Sequence, residues 1–166
     1  MLNPHILFEE RQYVGYNIHA FLRRFFIGFF CIAIYFLSDE KDKTAELFIM
    51  LGVMTFVISV LLLLVLHLHT MVFDDHIIIE GYWGRRKVKI NFNNIVKVEK
   101  GRYSKFWLNS PVYNLHLKKA VRFYTYGNTV IKLTDSHGLV YVIGTQKPER
   151  LCLIIERRLS DLANPK

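Results

Sequence analysis

The chain has 166 residues, a formal net charge of +8 and an apolar composition in which 52% of the residues are hydrophobic. Its length allows one ordinary domain with a short additional segment. The hydrophobic fraction exceeds that of typical soluble domains, and two cysteines are too few for a disulfide-stabilised fold. We therefore predict that Cys31 and Cys152 are reduced structural thiols.

Two apolar runs in the N-terminal part predict a transmembrane helical hairpin. The second run, residues 47–66, contains 20 residues without a charge and would span about 30 Å as a helix, which matches a bilayer's hydrocarbon core. The first run, residues 25–37, is long enough if it begins near Ala20, with Arg23 and Arg24 reaching the lipid headgroups. The predicted domain 1–69 comprises a juxtamembrane segment lying at the interface and helices at about 20–37 and 47–68.

The distribution of Lys and Arg predicts the orientation of this hairpin. Arg23 and Arg24 precede the first helix, and residues 70–166, which follow the second, hold 17 Lys and Arg against 8 Asp and Glu. The connecting loop SDEKDKTAE has only two lysines. Because cations favour the cytoplasmic side, we expect a multi-pass protein of the cell membrane with both termini in the cytoplasm.

Small residues on both helices predict a close helix contact. Gly52, Thr55 and Ser59 recur at helical spacing on the second helix, and Gly28 with Cys31 can form the facing surface on the first. Packing within the hairpin and oligomerisation through this stripe are both consistent with the pattern. Neither helix has an ionisable residue at its centre, which argues against an ion path through the hairpin.

From Thr70 the apolar pattern changes from helical to alternating, which indicates β-strands. About seven short strands follow, and then an amphipathic helix for which Thr145 is a plausible N-cap and Pro148 suits the first turn. The predicted class is an α+β membrane protein. Its second domain, residues 70–166, is predicted to be a cytoplasmic small β-barrel or sandwich capped by the C-terminal helix.

Two segments, FDDHIIIEGYWGRRKVKINFNNIVKVE and VIKLTDSHGLVYVIGTQKPERLCLIIERRL, resemble the bacterial pleckstrin-homology-like (PH-like) membrane proteins of the YdbS/YdbT type. The matching positions are Ile95 and Val98, then Ile143, Gly144 and Pro148. The resemblance implies a PH-like barrel tethered by a membrane helix pair, and it implies no catalytic residues. The aromatic and basic residues 101–126 depart from that pattern.

The first hairpin of this module carries four cations in a short stretch: Arg85, Arg86, Lys87 and Lys89. In eukaryotic PH domains, which the module resembles, this hairpin often binds phosphoinositide headgroups. Beside a membrane the cations could contact anionic lipid at about 1 kcal/mol each. The alternatives are a solvent-facing strand surface and a specific headgroup pocket.

A second basic cluster, Lys118, Lys119 and Arg122, is interleaved with aromatic residues. Aromatics with cations occur at membrane interfaces and on single-stranded nucleic-acid binders, and the neighbouring helices favour a membrane or protein partner. We expect no nucleic-acid partner. The candidate interface aromatics are Trp83, Phe106, Trp107, Phe123 and Tyr124.

The motifs do not indicate an enzyme. His67 and His69 point in different directions if they lie on a helix, and they could share a face if the chain is already extended there, but no other histidine is spaced to join them in a metal site. The consecutive residues Asp135, Ser136 and His137 cannot form a catalytic triad on a tight turn. We predict no metal, no cofactor and a non-catalytic docking or scaffold protein, whose partners are anionic lipids and a protein or a second copy. The alternatives are a small subunit or assembly factor of a membrane complex and an enzyme with a site at an oligomer interface.

Overall fold

The computed structural model describes residues 5–38, 43–81, 86–103, 111–125 and 127–163. The chain divides into two compact units. The helical unit is Tyr13–Val65, and the strand unit combines Met1–Gln12 with Leu66–Lys166. The helices are therefore an insertion within the sequence of the strand unit.

The helical unit contains a 3₁₀ turn at Val14–Tyr16 and the helices α1 (Ile18–Leu37) and α2 (Lys43–Leu64). The Asn17 side chain accepts a hydrogen bond from the backbone N–H of Ala20 and caps the start of α1. Both helices are long and apolar enough to cross a membrane. In the most apolar 18-residue stretch of each helix, only 6% of the residues of α1 and 11% of those of α2 are buried. These helices therefore differ from the core helices of soluble proteins, which are mostly buried.

The helix bounds differ from the prediction at the end of the second helix. This helix was expected to continue to about residue 68, but α2 ends at Leu64 and a strand begins at Leu66. The apolar run has no break there, so sequence pattern alone marks no boundary. Pairing of Leu68 with Gly81 and of Thr70 with Ile79 extends this segment as a strand, which includes His67 and His69.

Two sheets form the strand unit. The first has the strand order β1-β2-β3-β4, and the second has the order β5-β8-β9-β7-β6, in which β7 and β9 are parallel. A C-terminal helix, α3 (Pro148–Ala163), packs against β5 and β8. The strands are β1 (Phe8–Tyr13), β2 (Leu66–Val72), β3 (His76–Gly81), β4 (Arg86–Asn91), β5 (Ile95–Arg102), β6 (Val112–Leu117), β7 (Ala120–Tyr124), β8 (Thr129–Asp135) and β9 (Val140–Gly144).

The predicted α+β class is confirmed, with a helix pair first, then sheets of strands and a C-terminal helix. The seven strands β3 to β9 match the number predicted after Thr70, and the described residues add β1 and β2 before them. Neither sheet closes into a barrel within the described residues. Within the N-terminal segment predicted to be juxtamembrane, Phe8–Tyr13 form β1. It alternates inward and outward like other strands, but its inward residues include the polar Glu10 and Gln12, so its apolar pattern is hidden.

One hydrophobic core holds the strand unit together. Both sheets contribute inward-facing side chains, and α3 adds Leu151 and Ile155, which are fully buried. This placement confirms the apolar stripe predicted for the helix. Other fully buried core residues are Leu68, Ile77, Ile79, Phe123, Ile131, Leu133 and Ile143.

A buried polar cluster joins β1 to the start of α3. The Glu10 carboxyl group accepts hydrogen bonds from the Thr145 hydroxyl (2.5 Å), the Gln146 backbone N–H (2.7 Å) and the Gln12 side-chain amide (3.2 Å). The Gln12 amide also donates to the carbonyl oxygen of Gly144, and the Thr145 hydroxyl accepts from the N–H of Lys147. Glu10 thereby satisfies backbone and side-chain donors just before the helix, where unpaired N–H groups need an acceptor.

Candidate functional site

The outward face of the first sheet carries a row of charged and polar side chains across all four strands, in which His69 lies between two carboxylates. Arg11 contacts Glu9 at 2.8 Å, and His69 lies between Glu9 at 3.0 Å and Glu80 at 3.6 Å. Glu80 in turn pairs with Lys87 at 2.7 Å. Hydrogen bonding to His69, followed in importance by Arg11, holds the pKa of the Glu9 carboxyl below its usual range.

This row changes the interpretation of the first basic cluster. Lys87 is neutralised by Glu80, whereas the side chains of Arg86 and Lys89 are exposed. Arg85 and Trp83 lie outside the described residues. By alternation along β4, Lys87 and Lys89 lie on the outward face and Arg86 on the opposite one, so the three cations do not share one face.

The second basic cluster lies on and beside a tight turn between β6 and β7. Leu117 pairs with Ala120, so Lys118 and Lys119 form a two-residue hairpin loop, and both have positive φ angles of 49° and 58°. Such loops favour Asn and Gly, because a Cβ atom makes the left-handed conformation costly. Both lysine side chains are nevertheless exposed at the tip of the hairpin.

The aromatic residues of this cluster are placed differently from the prediction. Phe123 is fully buried in the main core and packs edge-to-face on Tyr113, so it is not an interface aromatic. The alternation of β7 turns Phe123 inward and Arg122 outward. Tyr124 is 97% buried, stacks on Tyr103 at 3.9 Å between ring centres and donates its hydroxyl hydrogen to the Gly127 carbonyl. Phe106 and Trp107 lie outside the described residues.

A pocket of 690 Å³ lies on the face of the second sheet that points away from the main core. Glu99, Lys132, Val142 and Arg122 follow one another in register across β5, β8, β9 and β7. The lining combines apolar side chains with three cations and one carboxylate. The lining residues are Glu99, Arg102, Tyr103, Ala120, Arg122, Val130, Lys132, Thr134, Val140 and Val142.

The pocket unites Arg122, which the sequence pattern singled out, with Arg102 and Lys132, which it did not. Lys132 lies in TVIKLTD, where alternation places it on the same face as Thr134 and opposite Ile131. The alternation that places Lys132 on this face can therefore be recognised in the sequence. The pairing of β8 with β5 and β9, which brings Lys132 near the other two cations, joins segments far apart in the chain.

The residues considered for catalysis have structural roles here. The Asp135 carboxylate accepts hydrogen bonds from the backbone N–H groups of His137 and Leu139 and so stabilises the β8–β9 turn. Burial raises the pKa of the Cys152 thiol to about 11, and a hydrogen bond to Glu156 adds to the shift. Such a thiol is a poor nucleophile near neutral pH. Among the described residues, no group of three or more His, Cys, Asp or Glu is placed to hold a metal ion.

The small residues predicted for helix packing lie at the contact between α1 and α2. Gly28, Gly52 and Ser59 are buried, and a Cβ atom on Gly52 would lie 2.7 Å from Ile32 Cγ1 and 3.4 Å from the Cys31 Cβ. Ser59 donates to the carbonyl of Thr55 and accepts a hydrogen bond from Arg24 Nε at 3.2 Å. The stripe is therefore used within the pair of helices.

No protein-family model matches the chain, and a search of curated proteins finds no significant match.

Proposed function

We propose that this chain is a non-catalytic membrane protein that presents its strand unit as a docking module at the cytoplasmic face of the cell membrane. The observation that carries the proposal is the position of the two apolar helices in the chain. They are inserted between β1 and β2, which are neighbouring strands of one sheet. The module is thus connected to the helix pair through two adjacent strands.

This connection bears on how the helices cross a membrane. Because β1 and β2 belong to one sheet, the start of α1 and the end of α2 must lie on the same side of the bilayer. The Lys and Arg excess of the strand unit, with Arg23 and Arg24 at the start of α1, favours the cytoplasmic side. The chain would then be a multi-pass protein with both termini in the cytoplasm.

Topology mapping tests this arrangement. A reporter inserted at Lys41, in the connection between the helices, is expected on the outer side of the membrane, and tags at both termini are expected in the cytoplasm. Termini on opposite sides would contradict the two-strand connection. A cytoplasmic reporter at Lys41 together with external termini would reverse the orientation and remove the docking face from the cytoplasm.

The C-terminal helix supports a PH-like docking module. Its residues Leu151 and Ile155 fill the core after a series of strands, as expected for the PH-like family that the sequence resembles, although neither sheet closes within the described residues and β7 and β9 are parallel. The β6–β7 turn supplies the docking contact. Lys118 and Lys119 keep long cationic side chains at positions where Asn and Gly would be less strained, and costly conformations of this kind concentrate at functional sites.

Anionic membranes should therefore protect the β6–β7 turn. With the full chain in nanodiscs, we expect slower hydrogen exchange at this turn in phosphatidylglycerol–phosphatidylcholine discs than in phosphatidylcholine discs. At about 1 kcal/mol per lysine, the two residues favour the docked state by roughly 30-fold. The double variant Lys118→Glu and Lys119→Glu should remove the difference.

The matched control reverses two exposed cations on α3, Arg150→Glu and Arg157→Glu, and should leave the difference unchanged. Equal exchange in both lipid compositions would contradict docking onto lipid. Co-purification of a stoichiometric protein from mild detergent, insensitive to lipid charge, would then favour the alternative of a subunit in a larger membrane complex.

A further inference from the structure

The pocket on the outward face of the second sheet has the properties of a small-molecule site. We propose that it binds a phosphate monoester, in which a dianionic phosphate is attached to an apolar or ring-shaped group. This proposal does not depend on the docking role, because it concerns a different face of the strand unit and a soluble or lipid-borne ligand.

The register of the strands places two of the cations on either side of an apolar residue. Val142 pairs with Lys132 on one side and with Arg122 on the other. Neighbouring strands are about 4.8 Å apart, so the backbones of Lys132 and Arg122 are separated by about 10 Å. Both side chains therefore lie on the same face of the sheet, on opposite sides of Val142.

Gly101 gives Lys132 the room to lean over the neighbouring strand. A Cβ atom on Gly101 would lie 3.0 Å from Lys132 Cε and 3.5 Å from its Nζ, so the lysine side chain occupies the space above this glycine. The Lys132 ammonium group is thus displaced from its own strand toward β5, which also supplies Arg102.

The charges of the pocket match a dianion. Arg102, Arg122 and Lys132 with the single carboxylate of Glu99 leave a net charge of +2 on the lining. Within the described part of the chain, none of these three cations has a hydrogen bond or an ion pair shorter than 4 Å. Glu99 is occupied by Lys97 at 2.8 Å, which weakens its repulsion of an anion.

The choice of a phosphate monoester follows from the hydrogen-bond donors of the pocket and from the apolar residues of its lining. Arginine offers paired N–H donors that fit phosphate oxygens. Three cations supply more positive charge than a ligand with a single carboxylate group would need. Ala120 and Val140 are partly buried apolar residues of the lining, and the Tyr103 ring, which stacks on Tyr124, also lines the pocket. Inorganic phosphate has no apolar group to contact these residues, whereas a monoester can place its organic part against them.

The test is calorimetric titration of the full chain in non-ionic detergent with three probes. Phenyl phosphate represents a soluble ligand with a ring, dihexanoylphosphatidic acid represents a lipid headgroup, and inorganic phosphate lacks the organic part. We expect at least one of the two monoesters to bind saturably and more tightly than inorganic phosphate. Whichever monoester binds more tightly identifies the source of the ligand.

Variants locate the binding. Arg122→Gln and Lys132→Gln are each expected to weaken the tighter monoester by about tenfold or more, because each removes a charge-assisted hydrogen bond. Lys100→Gln is the control, because Lys100 lies on β5 and pairs with Glu149 on α3 instead of lining the pocket. Thr134→Glu adds a negative charge to the lining and should abolish binding. This variant replaces Arg122→Gln or Lys132→Gln in the test if either of them unfolds.

Two results would overturn the proposal. The first is no saturable binding of either monoester to the wild-type chain. The second is binding whose affinity is unchanged in folded Arg122→Gln, Lys132→Gln and Thr134→Glu proteins, with folding checked by the unfolding temperature. A monoester that binds no more tightly than inorganic phosphate would contradict the contact proposed between the apolar lining and the organic part of the ligand.

Discussion

Replacing Glu10 with alanine is expected to lower the unfolding temperature of the strand unit by about 10 °C or more. The substitution removes the common acceptor of the Thr145 hydroxyl, the Gln146 N–H and the Gln12 amide. Glu10 is 94% buried, so water replaces this acceptor poorly. A loss of about 3 kcal/mol is expected from removing three hydrogen bonds to a buried carboxylate, with the buried Thr145 hydroxyl losing its acceptor. Each 1 kcal/mol shifts the midpoint of a small domain by about 4–8 °C.

Two variants on the same strand separate this effect from general damage. Glu10→Gln keeps one carbonyl acceptor for the Gln146 N–H and should cost about 1 kcal/mol. Glu9→Ala removes a carboxylate from the adjacent, solvent-facing position, where the ion pairs with Arg11 and His69 are worth at most about 1 kcal/mol.

The measurement is thermal unfolding of the full chain in detergent, followed by the β-sheet circular dichroism signal. Hydrogen exchange of the peptide that contains Phe8–Tyr13 should also accelerate in Glu10→Ala. An unfolding temperature equal to that of Glu9→Ala, with unchanged exchange in β1, would show that the polar cluster does not hold β1 in place.

The second large effect is expected at a glycine of the helical unit. Gly15 lies in the 3₁₀ turn Val14–Tyr16, and a Cβ atom there would lie 2.6 Å from the backbone N of Leu63 and 2.8 Å from the carbonyl carbon of Leu62. These atoms belong to the backbone of α2, so no side chain can move aside. Gly15→Ala should therefore destabilise the helical unit by about 3 kcal/mol.

Two other glycines provide a graded comparison. A Cβ atom on Gly52 meets Ile32 Cγ1 at 2.7 Å and the carbonyl oxygen of Gly28 at 3.1 Å, which predicts an intermediate loss for Gly52→Ala. On Gly28 it meets only the edge of the Phe56 ring, at 3.0 Å. That ring can shift, and alanine gains about 0.5–1 kcal/mol of helix propensity over glycine, so Gly28→Ala should be nearly neutral.

Cys31 offers a direct measure of helix separation, because its Cβ lies 3.4 Å from the position of a Cβ on Gly52. In a Cys152→Ser background, we expect alkylation of Cys31 to begin at the lowest fraction of SDS in mixed micelles for Gly15→Ala and at the highest for Gly28→Ala. The same SDS fraction for all three variants would mean that the close contacts do not limit the stability of the helix pair.

The helical unit is more fully predictable from the sequence than the strand unit. The helices follow from length and composition, because 20 uncharged residues in a row have few alternatives to a helix that buries its backbone polar groups. Their contact was also predictable, since Gly52 and Ser59 recur on one face. The Gly15 contact was not predictable, because it joins segments about 50 residues apart.

In the strand unit, periodicity located most strands but misassigned several residues. β1 was missed because Glu10 and Gln12 occupy inward positions, where an alternating pattern is expected to show apolar residues. Phe123 was assigned to a surface because neighbouring cations suggested an interface, whereas alternation along β7 turns it into the core. Lys87 looked available for ligands until its register with Glu80 was known.

The helix pair, the α+β class, the C-terminal helix and the positive charge of the strand unit follow from the sequence alone. These features depend on composition and on the spacing of residues that are close together in the chain. The pairing of β1 with β2, the contact of Glu10 with Thr145 and the grouping of Arg102, Arg122 and Lys132 around one pocket appear only in the tertiary structure. Strand pairing sets these contacts, and pairing partners are chosen by the burial of whole sheet faces across long stretches of chain.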